Sequence, residues 1–127
     1  MKTDVPEELN WVKARAACSL ETVFAGLHDG MQKDLVEANS LQAFGTGKFR
    51  IIPMDDGRAF TVRRGENIKP FVKVLLEDES IVVLTAQGKE ATFKVGLNDE
   101  GRCQLRSEGR GFEQWQVRKL ALEDLLF

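Results

Sequence analysis

The stretch FVKVLLEDESIVVLTAQGKEATFKVGL, Phe71 to Leu97, sets apolar runs rich in β-branched residues between two polar breaks, Glu77-Asp78-Glu79 and Gln87-Gly88. That pattern predicts three antiparallel strands joined by hairpins. A three-residue loop at Glu77 to Glu79 would set Val74 opposite Val82 and Val72 opposite Leu84. A two-residue turn at Gln87-Gly88 would then set Val82 opposite Phe93 and Leu84 opposite Ala91. Both turns give one common inward face. The other face, with Phe71, Leu75, Ile81 and Val83, is also apolar, which an antiparallel sheet wetted on one side does not show. Either the sheet curls strongly around a core, or this face is covered by the last helix or by another subunit, and homodimerisation is expected on that ground.

Further turn signals extend the meander on both sides: Asp55-Asp56-Gly57, Arg64-Gly65-Glu66-Asn67, Asn98 to Gly101, and Glu108 to Gly111. They predict additional strands over approximately Phe49–Pro53, Ala59–Arg63, Arg102–Ser107 and Phe112–Gln116, giving six or seven in all.

Before the sheet, Leu9, Val12, Ala16, Leu20, Val23, Leu27, Met31 and Leu35 recur at helical spacing between a start at Asp4-Pro6 and a stop at Asn39-Ser40. Unbroken from Pro6 to Asn39, this helix would reach about 50 Å, whereas six strands span only about 25 Å. It therefore breaks or overhangs, and Cys18-Ser19 is one expected break, with Ser19 capping a second helix and Glu21 in its first turn. Asp29-Gly30 is the other. Gly26 and Gly30, one turn apart, permit a close backbone approach. At the far end, Val117 to Phe127 predicts a short helix docked on the sheet, the alternative being a tail inserted into a partner.

The expected architecture is α+β in one domain: a helical region over 1–44, an antiparallel sheet over 45–116 and a C-terminal helix over 117–127. In outline this helix-then-sheet order resembles the cone-shaped nuclear-transport-factor-2-like folds, with no motif to carry the family. The resemblance implies a ligand cavity between helix and sheet.

The chain has 127 residues, 43% of them hydrophobic and 30% charged, with a net charge of −2. Such a balance belongs to a folded chain, and it provides no overall field toward nucleic acid or an anionic membrane. No window of 18 apolar residues and no leader pattern stand in the sequence, so no membrane span and a cytoplasmic location are expected. On that basis the two cysteines, Cys18 and Cys103, are expected to be buried thiols rather than a redox pair.

No catalytic, cofactor or metal signature emerges. His28 is the sole histidine, with no carboxylate three or four residues away, and it reads as a flank of the apolar stripe. Gly45-Thr46-Gly47-Lys48 fails the phosphate-loop frame, because Gln42 and Phe49 stand where glycine and a hydroxyl residue are required. Asp55-Asp56 and Glu77 to Glu79 are turn acids.

The basic residues are more telling. Lys48 to Lys73 holds seven basic residues against three acids. A turn at Asp56-Gly57 would put Arg50 opposite Arg63, an unfavourable like-charge pair unless an anion or acidic partner neutralises it. Arg50, Arg63, Arg64 and Lys73 are therefore the candidate binding residues. A non-enzymatic cytoplasmic interaction module, a homodimer holding a partner protein, is the first expectation. A small-molecule binder or enzyme with an apolar cavity, reached by His28 or Glu21, is the second. Anion or nucleic-acid binding through the basic strands is the third, disfavoured for nucleic acid because Phe49 and Phe60 face inward.

Overall fold

A computed structural model of the chain describes residues 8–41, 48–66 and 69–127. The expected helix start at Asp4-Pro6, the Gly45-Thr46-Gly47 segment and Asn67 of the second turn lie outside these residues. The order is α1 (Trp11–Ala17), α2 (Leu20–Leu41), β1 (Phe49–Met54), β2 (Ala59–Arg64), β3 (Phe71–Leu76), β4 (Ile81–Leu84), β5 (Glu90–Leu97), β6 (Cys103–Ser107), β7 (Arg110–Phe112) and α3 (Gln114–Leu126). The seven strands form one antiparallel meander in sequence order. The α+β architecture expected from the sequence is the one observed.

The N-terminal helix breaks at Cys18-Ser19. The Ser19 hydroxyl accepts a hydrogen bond from the Thr22 backbone N–H at 3.1 Å, satisfying one of the unpaired donors of the first turn, and Glu21 follows in that turn. The break divides the apolar stripe. Val23, Phe24, Leu27, Met31 and Leu35 of α2 are buried, while α1 buries nothing, and Leu9 before it and Val12 within it are exposed. Asn39 stands just short of the end of α2, which runs to Leu41, one residue past the stop expected at Asn39-Ser40. The Asn39 side chain acts as a clip: the amide donates to the Phe49 carbonyl and the amide oxygen accepts from the Phe49 N–H, tying the helix end to the outer strand.

The buried residues of the sheet share a single face. Phe49, Phe60, Val62, Val72, Val74, Ile81, Val83, Phe93 and Leu105 form one cluster with the buried residues of α2 and with Val117, Ala121, Leu122 and Leu125 of α3. Both long helices thus cover the same side of the sheet, called the inner face below. Gly26 and Gly30 lie where α3 crosses α2, and a Cβ on either would meet the side chain of Gln114 or Arg118. Arg118 there donates to Asp34 at 2.9 Å, closing the crossing with a part-buried ion pair.

Three local expectations are corrected. At the β3–β4 hairpin Leu76 faces Ile81 across a four-residue loop, and Val74 faces Val83 rather than Val82. At the next hairpin, Gly88 at φ +83° lets Thr85 and Lys89 close a three-residue loop, so Val83 faces Ala91 and Ile81 faces Phe93. The two one-residue differences cancel on β5 and invert only β4, which sends Ile81 and Val83 inward. Third, the final strand ends at Phe112, and α3 starts at Gln114 because Glu113 and Gln116 form a reciprocal capping box.

The cysteines are also not free thiols. Cys18, at the α1–α2 junction, is joined to Cys103 of β6 by a disulfide spanning 85 residues. The spacing offered no hint because the partners stand 85 residues apart and meet only in the folded chain. Among the described residues, no helix is long and apolar enough to cross a membrane.

Candidate functional site

The face of the sheet opposite the helices is built by strict alternation. Register places Arg50, Arg63 and Phe71 in one cross-strand row; Ile52, Thr61, Lys73, Leu84 and Glu90 in the next; and Met54, Ala59, Leu75, Val82 and Thr92 in a third. Farther along, Lys94 faces Arg106 on the same side. None of Ile52, Met54, Phe71, Leu75, Val82 or Leu84 belongs to the core cluster or packs against it. This outer face therefore carries an apolar band with no described helix on it.

Five cations, Arg50, Arg63, Lys73, Lys94 and Arg106, project from that face against one carboxylate, Glu90. In a chain of net charge −2 this is a pronounced segregation of charge. The pairing of Arg50 opposite Arg63 is as the turn chemistry predicts: Asp56 and Gly57 are both left-handed, and the Arg58 N–H donates to the Asp55 carbonyl at 3.0 Å. Arg50 reaches the exposed Glu66 at 3.5 Å, a long and water-screened contact.

Two polar atoms on this face are buried with no hydrogen-bond partner among the described residues: Thr61 Oγ1 and Arg63 Nε. Thr61 is only 2% exposed. It sits at the floor of the face, with Ile52 and Lys73 directly opposite on its two neighbouring strands and Arg63 two residues along its own. Buried polar atoms are nearly always satisfied, so these two, on alternate residues of β2 with cations opposite them, stand out on this face.

Of the four residues proposed from the sequence, the structure brings Arg50, Arg63 and Lys73 together and separates Arg64. Strand alternation turns Arg64 to the inner face, where its guanidinium lies 4.6 Å from the centre of the Phe49 ring. Thr61 was not singled out in the sequence. Its signal was present in register arithmetic, since the residue midway between two inward valine and phenylalanine positions must face outward, but its burial depends on the canopy of its neighbours. Beside the cations, Phe71 and Leu84 line a hollow of about 460 Å³ together with Lys69, Pro70 and the Thr85–Gly88 turn.

His28 lies elsewhere. Its ring meets Phe60 edge-on at 5.1 Å, and Nδ1 is 3.2 Å from Asp29 Oδ1, so a carboxylate does stand beside it, on the adjacent residue rather than a turn away. Phe24, Pro53, Gly57 and Ala59 complete a hollow of about 260 Å³ there. No serine, threonine or cysteine lines it. Among the described residues, no group of three or more histidine, cysteine, aspartate or glutamate side chains is arranged to hold a metal ion.

Comparison with protein-family models, with curated proteins and with solved structures finds no match for this chain.

Proposed function

We propose that the chain is a non-enzymatic interaction module whose outer sheet face docks a segment of another protein, one in which acidic residues alternate with apolar ones. The observation that carries this reading is the composition of that face: an apolar band left by both helices and edged by five cations. Charge complementarity selects the partner. A two-fold dimer would set this face against its own copy and oppose like charges, whereas an acidic segment neutralises them while covering Phe71, Leu75, Val82 and Leu84. Self-association, expected from the sequence through this same face, is assigned instead to the end where α2 meets α3. There Leu41, Trp115 and Phe127 stand exposed around a groove of about 370 Å³.

The disulfide supports work in an oxidising compartment in place of the cytoplasmic location expected from the sequence, since such bonds persist where thiol reductants are scarce. A second reading, small-molecule binding, has the His28 and Asp29 hollow in its favour. Fluorescence anisotropy with a labelled peptide of alternating glutamate and leucine tests the first reading. Binding that weakens with salt and is lost in the Arg63→Glu, Lys73→Glu double variant supports it. Binding that survives the double charge reversal removes the outer face from consideration.

A further inference from the structure

We propose that the outer face holds a built oxyanion site, formed by Thr61, Arg63, Lys73 and Arg50, which takes the phosphate of a phosphorylated side chain on the docked segment. The proposal rests on the docking reading above and adds to it a particular anchor and a particular chemistry.

Thr61 carries the argument. The residue is 2% exposed and its hydroxyl has no partner among the described residues, on a face whose nearest rows carry mainly apolar side chains and cations. A hydroxyl in that position offers a donor, and so does the unpartnered Nε–H of Arg63 two residues away on the same side of β2. Lys73 lies directly opposite Thr61, and Arg50 directly opposite Arg63. On an antiparallel pair these opposed side chains start about 5 Å apart, so the four groups converge within the reach of one ligand.

The groups offered are all donors or cations, and none of the four is an acceptor-only group. That set asks for a ligand made only of acceptors. A carboxylate brings two oxygens and a single charge, whereas a phosphomonoester brings three terminal oxygens and nearly two charges, matching a hydroxyl with three cations more completely. Two carboxylates oppose these cations: Glu66 is exposed and 3.5 Å from Arg50, and Glu90 stands two strands from Lys73 in the same row. The adjacent hollow lined by Phe71 and Leu84 accepts an apolar side chain next to the phosphorylated residue.

The test compares four probes on the intact, disulfide-bonded protein by calorimetric titration. They are a short glutamate- and leucine-containing peptide carrying one phosphoserine, its unphosphorylated twin, inorganic phosphate, and a single-stranded oligonucleotide of equal length. The phosphopeptide is expected to bind at least about tenfold more tightly than its twin, as charge-assisted hydrogen bonds predict, with inorganic phosphate binding weakly at the same residues. Thr61→Val is the decisive variant, because removing an unpartnered hydroxyl should raise the melting temperature of the free protein. It therefore separates folding from binding. The proposal requires Thr61→Val to reduce the preference for the phosphopeptide several-fold while the unphosphorylated twin binds as before. Equal binding of both peptides, or a preference unchanged in Thr61→Val, overturns the phosphate site and leaves the docking surface standing. No binding of either peptide overturns both. An oligonucleotide that competes as well as the phosphopeptide overturns the site as a reader of phosphorylated protein.

Discussion

Thr61 and Arg64 show how much a single residue's fate depends on which side of a strand it occupies. Arg63 and Arg64 are neighbours of the same type, yet one keeps an unpartnered Nε on the outer face and the other stacks on Phe49 within the inner one. Thr61 is the residue whose free energy is most open to measurement. A buried hydroxyl without a partner costs about 1–3 kcal/mol, so Thr61→Val is expected to stabilise the free protein by about 1 kcal/mol. That corresponds to a rise of a few degrees in the melting temperature, read by calorimetry or circular dichroism. A loss of stability would mean that the hydroxyl is satisfied in solution. The cation cluster was legible from sequence composition, and its geometry from the Asp56-Gly57 turn. Arg64 was grouped with that cluster because a charge count along the chain ignores strand parity, which places it on the inner face.

At the level of elements, hairpin loops decide what the apolar pattern leaves open. β4 reads Ile81-Val82-Val83-Leu84, so either face of it could have turned inward with no polar residue buried. A one-residue change in each flanking loop inverts it at no cost in pattern, which is why its register was not readable from the strand itself. The break between α1 and α2 was readable as one of two expected sites, because Ser19 offers a cap where the long helix outruns its sheet, but length alone did not choose it over Asp29-Gly30 or an overhang. Ser19→Ala is expected to destabilise the protein by about 1 kcal/mol, measured by urea unfolding, through loss of the bond to the Thr22 N–H. The α1 helix behaves differently. It buries no residue of its own, so its attachment depends on the Cys18 junction that follows it. Reduction of the bond is expected to speed amide exchange in α1 and in β6 far more than in β2 or β3, as measured by hydrogen–deuterium exchange.

Across the whole molecule, the asymmetry between the two sheet faces organises everything else. Two helices lie on one face, and the disulfide pins the junction ahead of α2 to β6, which stabilises the assembly through a covalent loop of 85 residues. Replacing both cysteines by serine is expected to cost about 2–4 kcal/mol of stability, observed as a lower urea midpoint. The sequence showed that both faces of the middle strands are apolar, and inferred from this a second covering layer. It could not show which layer, because the answer depends on where α3 docks: Gly26 and Gly30 bring α3 onto α2, on the face already covered, and no described helix lies on the outer face. At the α2–α3 end, Trp115→Glu is expected to abolish any concentration-dependent increase in mass seen by sedimentation equilibrium, since Trp115 is 56% exposed beside Leu41 and Phe127.

The docking proposed above requires that the outer face, and no other surface, receive an acidic partner segment. Amide chemical-shift mapping with the glutamate- and leucine-containing peptide tests it most directly. The account predicts shifts concentrated on β1 to β4, at Arg50, Thr61, Arg63, Lys73 and their row neighbours, and shrinking as salt is raised. Shifts confined to His28 and Asp29, or to the groove between α2 and α3, would contradict it.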